Sequence, residues 1–278
     1  MRIRVAHTTR YAYDAPARAI LQALRLTPQP HEGQHVVWWR IETDADVRLR
    51  PEHDVFGNIV HMLQAERPGQ ELGVRVEGEI DTTDTHGVVR GAVERLTPAL
   101  YLRETELTRA GPELGAFAQE AVLGAEPGRL AQLHALMAAI HQGITFDTRA
   151  TNSQTTAEEA LRDKRGVCQD MAHVFIAAAR SLGAPARYVS GHLVHRDVSE
   201  QEAAHAWAEA FVEDLGWIAF DPANGVCATE AYVRVAVGLD YLGAAPVRGA
   251  VYGGVKERMT VSLSVTDTAV QAHSQSQA

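Results

Sequence analysis

The apolar residues of this chain change period twice, and the order of those periods restricts the fold more than any single motif. The first 85 residues run in strand rhythm. "RIRVAHTTRYAY" and "HVVWWRIETDADVRLRP" are rich in β-formers, and "ELGVRVEGEID" alternates apolar and polar positions. A turn signal, Phe56-Gly57-Asn58, divides "HDVFGNIVHML" into two short extended pieces. No helical repeat interrupts this half, so it reads as an antiparallel sandwich or barrel occupying residues 1–85.

Residues 86–112, ending in "LTPALYLRETELTRAGP", read as a connector, and the rhythm then turns helical. "PELGAFAQEAVLG" places Leu114, Phe117, Ala118 and Ala121 on one face. "PGRLAQLHALMAAIHQG" does the same with Leu130, Leu133, Leu136, Met137 and Ile140, with Gly143 expected as its C-cap. "TTAEEALRDKRG" opens with Thr155 and Glu158 at capping-box spacing. A further helix follows Cys168, with Met171, Phe175, Ala178 and Leu182 on one stripe, and Gly183 and Pro185 as stop signals. The pattern returns to strands in "ARYVSGHLV", "HAWAEAFVED", "GWIAFDPAN", Val233 to Val237 and "RMTVSLSV". Residues 113–265 therefore read as one α+β unit, helices first and an antiparallel sheet after, with residues 266–278 as a flexible tail.

Composition narrows the function. With 46% hydrophobic and 22% charged residues over 278 positions, the chain reads as globular. A net charge of −9 argues against a general nucleic-acid partner, which calls for a basic face. No apolar run reaches the length of a membrane span, and the N-terminus lacks the apolar core of a signal peptide. These features predict a cytoplasmic protein without a membrane partner, whose two cysteines are free thiols.

One of those cysteines sits where chemistry is possible. In "GVCQD", Cys168 falls between a charged loop and an apolar helix. A helix N-terminus presents unpaired N–H groups and a positive dipole end, both of which favour a thiolate. Arg162, Lys164 and Arg165 read as a solvated loop, and Asp170 as a cap of the first turn or an orienting group. A nucleophilic cysteine also needs a base, and the base an orienting partner. In "HAWAEAFVED", alternation places His205, Trp207, Glu209 and Phe211 on one face. In "GWIAFDP" it does so for Trp217, Ala219 and Asp221. An even register between the two strands brings His205 and Asp221 to the same side. The turn "EDLG" permits that register without imposing it.

"GVCQDMAHVFIAAARSLGAPARYVSGHL" and "HAWAEAFVEDLGWIAFDPANG" closely resemble the transglutaminase-like superfamily. "YAYDAPARAILQALRLTPQP", "DVFGNIVHM" and "VAVGLDYLGAAPVRGAVYGG" resemble further parts of one bacterial branch with a β-rich N-terminal region, so the likeness covers nearly the whole chain. The resemblance implies a papain-like α+β core of helices plus antiparallel sheet, preceded by an antiparallel β-rich domain. It implies a triad of Cys168 as nucleophile, His205 as general base and Asp221 as orienting carboxylate. Met171 stands where the family usually carries a larger aromatic.

The expected reaction is attack of Cys168 on an amide carbonyl, an oxyanion held by the Cys168 backbone N–H, and a thioester intermediate. Asn152 and Gln154, in the upstream loop, are weak candidates for a second oxyanion donor. Hydrolysis of a peptide or isopeptide-like amide is the simpler outcome, and transglutaminase-type transfer to an amine is the alternative. A different class of reading is a non-enzymatic protein-binding module. No cofactor or metal is expected. His192 and His195 are three apart on a strand and face opposite sides, and neither CxxC, HExxH nor an EF-hand loop occurs. Cys227 in "NGVCATE" lacks a histidine or a helix start and reads as a structural thiol.

Overall fold

The computed structural model of the protein describes residues 1–195, 200–201 and 203–268. The strand rhythm of the first half becomes β1 (Arg2–Thr27), β2 (Gln34–Thr43), β3 (Pro51–His53) and β4 (Ile59–Thr82). After β5 (Val88–Val89) and a 3-10 turn at Pro98–Leu102 come α1 (Pro112–Ala121), α2 (Arg129–Gly143), β6 (Thr145–Phe146), α3 (Ala157–Asp163), β7 (Arg165–Gly166) and α4 (Cys168–Ser181). The last part is β8 (Ala186–Leu193), β9 (Glu200–Gln201), β10 (His205–Val212), β11 (Gly216–Asp221), β12 (Val226–Cys227), β13 (Tyr232–Gly238), α5 (Tyr241–Ala244), β14 (Val247–Tyr252) and β15 (Glu257–Asp267). The architecture is α+β, with a β-rich N-terminal region and a core of helices on an antiparallel sheet. Among the described residues no helix is long and apolar enough to cross a membrane.

The first sheet has the order β2-β4-β1-β15-β9, with β14 also on β1 and β3 on β4. β1 and β4 run antiparallel over most of their length, with register shifts between Ala12 and Ala17 and between Ala17 and Ala19. Those bulges change which side chains face inward. Ile3, Val5, Tyr11 and Tyr13 are buried before them, Ile20, Leu24 and Leu26 after them. An extra residue shifts a period-two pattern by one, so the buried parity turns from odd to even.

The chain returns to this sheet at its end. The stretch "RMTVSLSV", expected among the strands of the second half, pairs with β1 from Ile3↔Asp267 to Tyr13↔Glu257. β1 bonds β4 along one edge only, and β14 and β15 cover the other edge. Leu263 and Val265 join Ile3, Val5, Ile80, Val233 and Val235 in a core shared by the two sheets. Of the expected flexible tail, residues 266 and 267 belong to β15, and residues from 269 onward lie outside the described ones.

The second sheet, β12-β11-β10-β8-β13 with β5 on β11, is the central layer. One face carries Ala206, Ala208, Ala210, Ile218 and Phe220 against α4, and these small residues allow a close helix approach. α4 is buried from Asp170 to Arg180, all the way round rather than along one stripe. The rings of Phe175 and Phe220 stack 5.1 Å apart in that core. Full burial of one such side chain contributes roughly 1.5–3 kcal/mol. The other face of the sheet carries Val189, Trp207, Ala219, Tyr232 and Val237, with Phe56 and Val89 packed against them.

Two of the expected caps fall elsewhere. The capping box of α3 is Thr156 with Glu159, one residue beyond Thr155 and Glu158. The Thr155 hydroxyl instead accepts from the Asn152 N–H, and the Glu158 carboxylate accepts from the N–H groups of Gly111, Glu113 and Leu114. Glu158 thus caps α1, a neighbour 44–47 residues earlier in the chain. Gly143 is the last residue of α2 rather than a left-handed cap, and the chain leaves through an extended Ile144.

Candidate active site

The site begins with the way α4 starts. Val167 is extended, and its N–H donates to Asp170 Oδ2 at 2.8 Å; the Thr151 hydroxyl donates to the same oxygen at 2.6 Å. Asp170 is therefore a cap of the first turn, tied to the loop upstream. Burial pushes its carboxyl up, against those hydrogen bonds. Gly166 permits this fold-back, because a Cβ there would lie 2.7 Å from Asp170 Cβ. Cys168 is the first helical residue and is half-buried. Its sulfur stands at the positive end of a 14-residue helix.

Strand register supplies the next two groups. β10 and β11 pair as Ala208↔Phe220 and Glu209↔Ala219, so odd-numbered residues of both strands share a face. His205 opens β10 and Asp221 closes β11, and His205 Nε2 lies 2.6 Å from Asp221 Oδ2. With Nε2 occupied, Nδ1 is the ring nitrogen left for Cys168, which stands close enough to raise the imidazole's affinity for its proton. The structure thus brings Cys168, His205 and Asp221 together from a helix start and two strand ends.

The electrostatics follow from this packing. Burial opposes a charge on His205, but the hydrogen bonds to Asp221 and Cys168, and the charge of Asp221, outweigh it and lift the imidazole from 6.5 to about 10. Burial likewise pushes the Asp221 carboxyl up, yet His205, Asn224 and Tyr232 hold it below its ordinary range. Asp221 Oδ1 accepts from the Ala223 and Asn224 N–H groups at 3.0 and 3.3 Å. Besides the histidine, Oδ2 accepts from Asn224 Nδ2 at 2.7 Å and from the Tyr232 hydroxyl at 2.8 Å. A fully buried carboxylate is thereby satisfied on both oxygens.

Sequence reasoning missed Asn224 and Tyr232. Asn224 had a local signal, being three residues from Asp221 in the turn "DPANG". Tyr232 had none, since it comes from the edge strand β13 on the far side of β8 and β10. Trp207, placed by alternation on the face of His205, stacks on that ring at 6.1 Å, and Tyr232 stands 6.0 Å away on another side.

The remaining candidates lie apart. Asn152 and Gln154 are exposed, and the Asn152 side chain accepts from the Gln154 N–H at 2.8 Å. Arg162, Lys164 and Arg165 are exposed but do not form a loop: Arg162 lies in the last turn of α3, Lys164 is its left-handed C-cap and Arg165 belongs to β7, with Arg162 paired to Asp163 and Arg165 to Asp147. Cys227 is free and half-buried, and burial pushes its thiol up to about 11. His192 is buried beside His7, whose ring is 6.0 Å away, whereas His195 lies exposed beyond β8; the two do not converge.

Comparison with known proteins supplies an independent view. The family described as the transglutaminase-like superfamily matches residues 115–222, and that described as the bacterial transglutaminase-like N-terminal region matches residues 3–81. An uncharacterized protein of Mycobacterium leprae is 31% identical over 268 residues, covering 91% of this chain and 94% of its own length. One from Mycobacterium tuberculosis is 28% identical over 292 residues, covering 95% and 91%. A solved structure from Cytophaga hutchinsonii, presented as a candidate cysteine protease, superposes with a TM-score of 0.76. It is 22% identical and covers 96% of this chain and 91% of that one. Cys168, His205 and Asp221 lie inside the first matched segment, and Asn224 and Tyr232 lie just past its end.

Proposed function

Because the chain belongs to the transglutaminase-like superfamily, we propose that Cys168 is the nucleophile of a cysteine enzyme that hydrolyses a peptide or isopeptide-like amide. The observation that carries this reading is the 2.6 Å contact of His205 Nε2 with Asp221 Oδ2, which turns Nδ1 to Cys168. His205 holds the proton given up by the Cys168 thiol, and Asp221 stabilises this imidazolium without becoming protonated itself. The Cys168 sulfur attacks the amide carbon, and the carbonyl electron pair moves to oxygen. The Cys168 backbone N–H at the helix start faces that oxyanion. The tetrahedral species collapses as His205 protonates the leaving amine, and a thioester remains. Water, activated by the same imidazole, releases the acid.

A half-buried thiol, open to water, supports hydrolysis over transfer to an amine. Two free cysteines suit a reducing compartment, and we place the protein in the cytoplasm. The test begins with iodoacetamide. Cys168 reacts much faster than Cys227, and His205→Ala removes the difference. Equal, slow labelling of both thiols would sink the assignment. Intact-mass measurement after incubation with cell extract then detects an acyl adduct on Cys168 that Cys168→Ala lacks. Added primary amine leaves the acid as the product; an amide product would replace hydrolysis by acyl transfer.

A further inference from the structure

Tyr232 holds Asp221, and what holds Tyr232 lies in the other half of the protein. Its hydroxyl donates to Asp221 Oδ2 at 2.8 Å, the same oxygen that meets His205 Nε2 at 2.6 Å. Burial and the charge of Asp221 push the phenol up, so it stays an O–H donor. The ring meets Trp207 edge-on at 5.4 Å and stands 6.0 Å from the His205 ring. Packing alone does not fix it. A cavity of about 30 Å³ is lined by Tyr232, Trp207 and Arg234 together with His31, Gly33 and Thr83 of the N-terminal half. The backbone of β13 has to set the direction of the ring.

β13 is an edge strand. Among the described residues it pairs with β8 alone, with Tyr232 opposite Leu193 and Arg234 opposite Gly191, and a bulge follows before Ala236. Side chains of the first sheet hold its outer edge. The Thr82 hydroxyl donates to the Glu230 carbonyl, two residues before Tyr232. Gln34 takes Arg234, two residues after it. Gln34 Nε2 donates to the Arg234 carbonyl at 2.9 Å, and Gln34 Oε1 accepts from the Arg234 N–H at 2.8 Å. Gln34 and Thr82 are direct cross-strand partners on β2 and β4, and both are buried. Such partners share a face and sit close together. One pair of residues in the N-terminal half therefore brackets Tyr232 on both sides.

We propose that the N-terminal half is a positioning element of the triad: the Gln34–Thr82 pair sets β13 so that the Tyr232 hydroxyl keeps Asp221 Oδ2 turned to His205. The assignment rests on Cys168, His205 and Asp221 acting as the proposed triad. Tyr232 donates a hydrogen bond and transfers no proton. A carboxylate with one donor fewer turns from Nε2, the imidazolium loses its partner, and Cys168 keeps its proton to higher pH.

The test is the pH dependence of Cys168 alkylation by iodoacetamide in the full chain, with urea unfolding of each variant beside it. Tyr232→Phe keeps the ring and moves the acid limb up by about one pH unit, a slowing of about tenfold on that limb. Gln34→Ala moves the limb the same way by a smaller amount, although it lies in the other sheet. Added to Tyr232→Phe it moves the limb no further, because both act through one hydroxyl. Thr82→Val, nearly isosteric, follows Gln34→Ala and carries the test where Gln34→Ala fails to fold. Asn58→Ala loosens the same seam at Val237, beyond the bulge; it lowers stability and leaves the limb in place. The proposal is overturned if Tyr232→Phe, or both Gln34→Ala and Thr82→Val, leave the limb in place. It is also overturned if the shifts add in the double variant, or if Asn58→Ala moves the limb as far as Gln34→Ala, which is what general loosening would produce. A wild-type Cys168 that reacts no faster than Cys227 overturns the triad and this proposal together. A fast Cys168 whose limb ignores the first sheet overturns this one alone.

Discussion

The two sheets of this protein are built under different constraints. The second is buried on both faces, one against α4 and one against the first half of the chain. The first leaves much of one face wet, with Leu21, Met62 and Tyr252 exposed by 40%, 42% and 59%. The active groups all belong to the buried sheet and its helix. A rigid central layer holds donors and acceptors in place, and small residues such as Ala208 and Ala210 set the distance between strand and helix. The two sheets meet along the edge strand β13. Gln34 clamps the N–H and C=O of Arg234, and Asn58 clamps those of Val237. Two carboxamides thus finish an edge that another strand would otherwise occupy.

The largest break in that comparison comes from the buried charges of the second sheet. Glu209, fully buried, pairs with Arg187 at 2.6 Å and Arg234 at 2.7 Å. Arg187 also pairs with Glu94 and lies 3.9 Å over the Trp217 ring. Glu209→Ala leaves Arg234 without its carboxylate, and urea unfolding should show a loss of about 3–5 kcal/mol. The next effect tests the seam. Asn58→Ala strips both backbone partners from Val237, and the expected loss in the same assay is about 1–3 kcal/mol. Ala208→Leu overpacks the contact of β10 with α4, costs about 1–3 kcal/mol, and slows Cys168 alkylation by shifting the helix start.

The seam also makes stability depend on pH. His7 on β1 and His192 on β8 lie 6.0 Å apart, held by burial near 4 and 3 respectively, with His7 adding to the effect on His192. The unfolded chain binds protons near 6.5, so the native state is favoured fully above that pH and loses stability as pH falls toward 4. One pH unit below the free value costs at most about 1.4 kcal/mol for each histidine. His192→Leu should flatten the dependence measured by urea unfolding between neutral and mildly acidic pH. His205 has the opposite sign. Its contribution is full below 6.5 and is lost as pH rises through about 10. The smallest effect is the control on the wet face. Ala250→Leu, at an exposed position of β14, should change stability by less than about 0.5 kcal/mol.

Where sequence reading and structure diverge, the missing information is long-range. The helix after Cys168 and the alternation within each of the two strands were legible, because helix starts and strand parity are local properties, whereas the register that puts His205 and Asp221 on one side was left open by the turn. The capping box of α3 was displaced by one residue because Glu158 serves α1, a neighbour no local pattern reveals. The strand at 258–265 was legible as a strand but not as a partner of β1, more than 240 residues away. Two strands of similar composition do not announce which edge each will cover. Tyr232 was invisible for the same reason, although its hydroxyl completes the Asp221 site.

From "GVCQD" the sequence by itself determined a cysteine at a helix start and a carboxylate, Asp170, placed to cap the first turn or orient a neighbour. Each depends on groups within four residues, so the backbone there has few alternatives. Only the tertiary structure decided what surrounds Asp221 and which sheet the last strands join. Those outcomes depend on buried groups finding partners across the fold, and burial is a property of the whole chain.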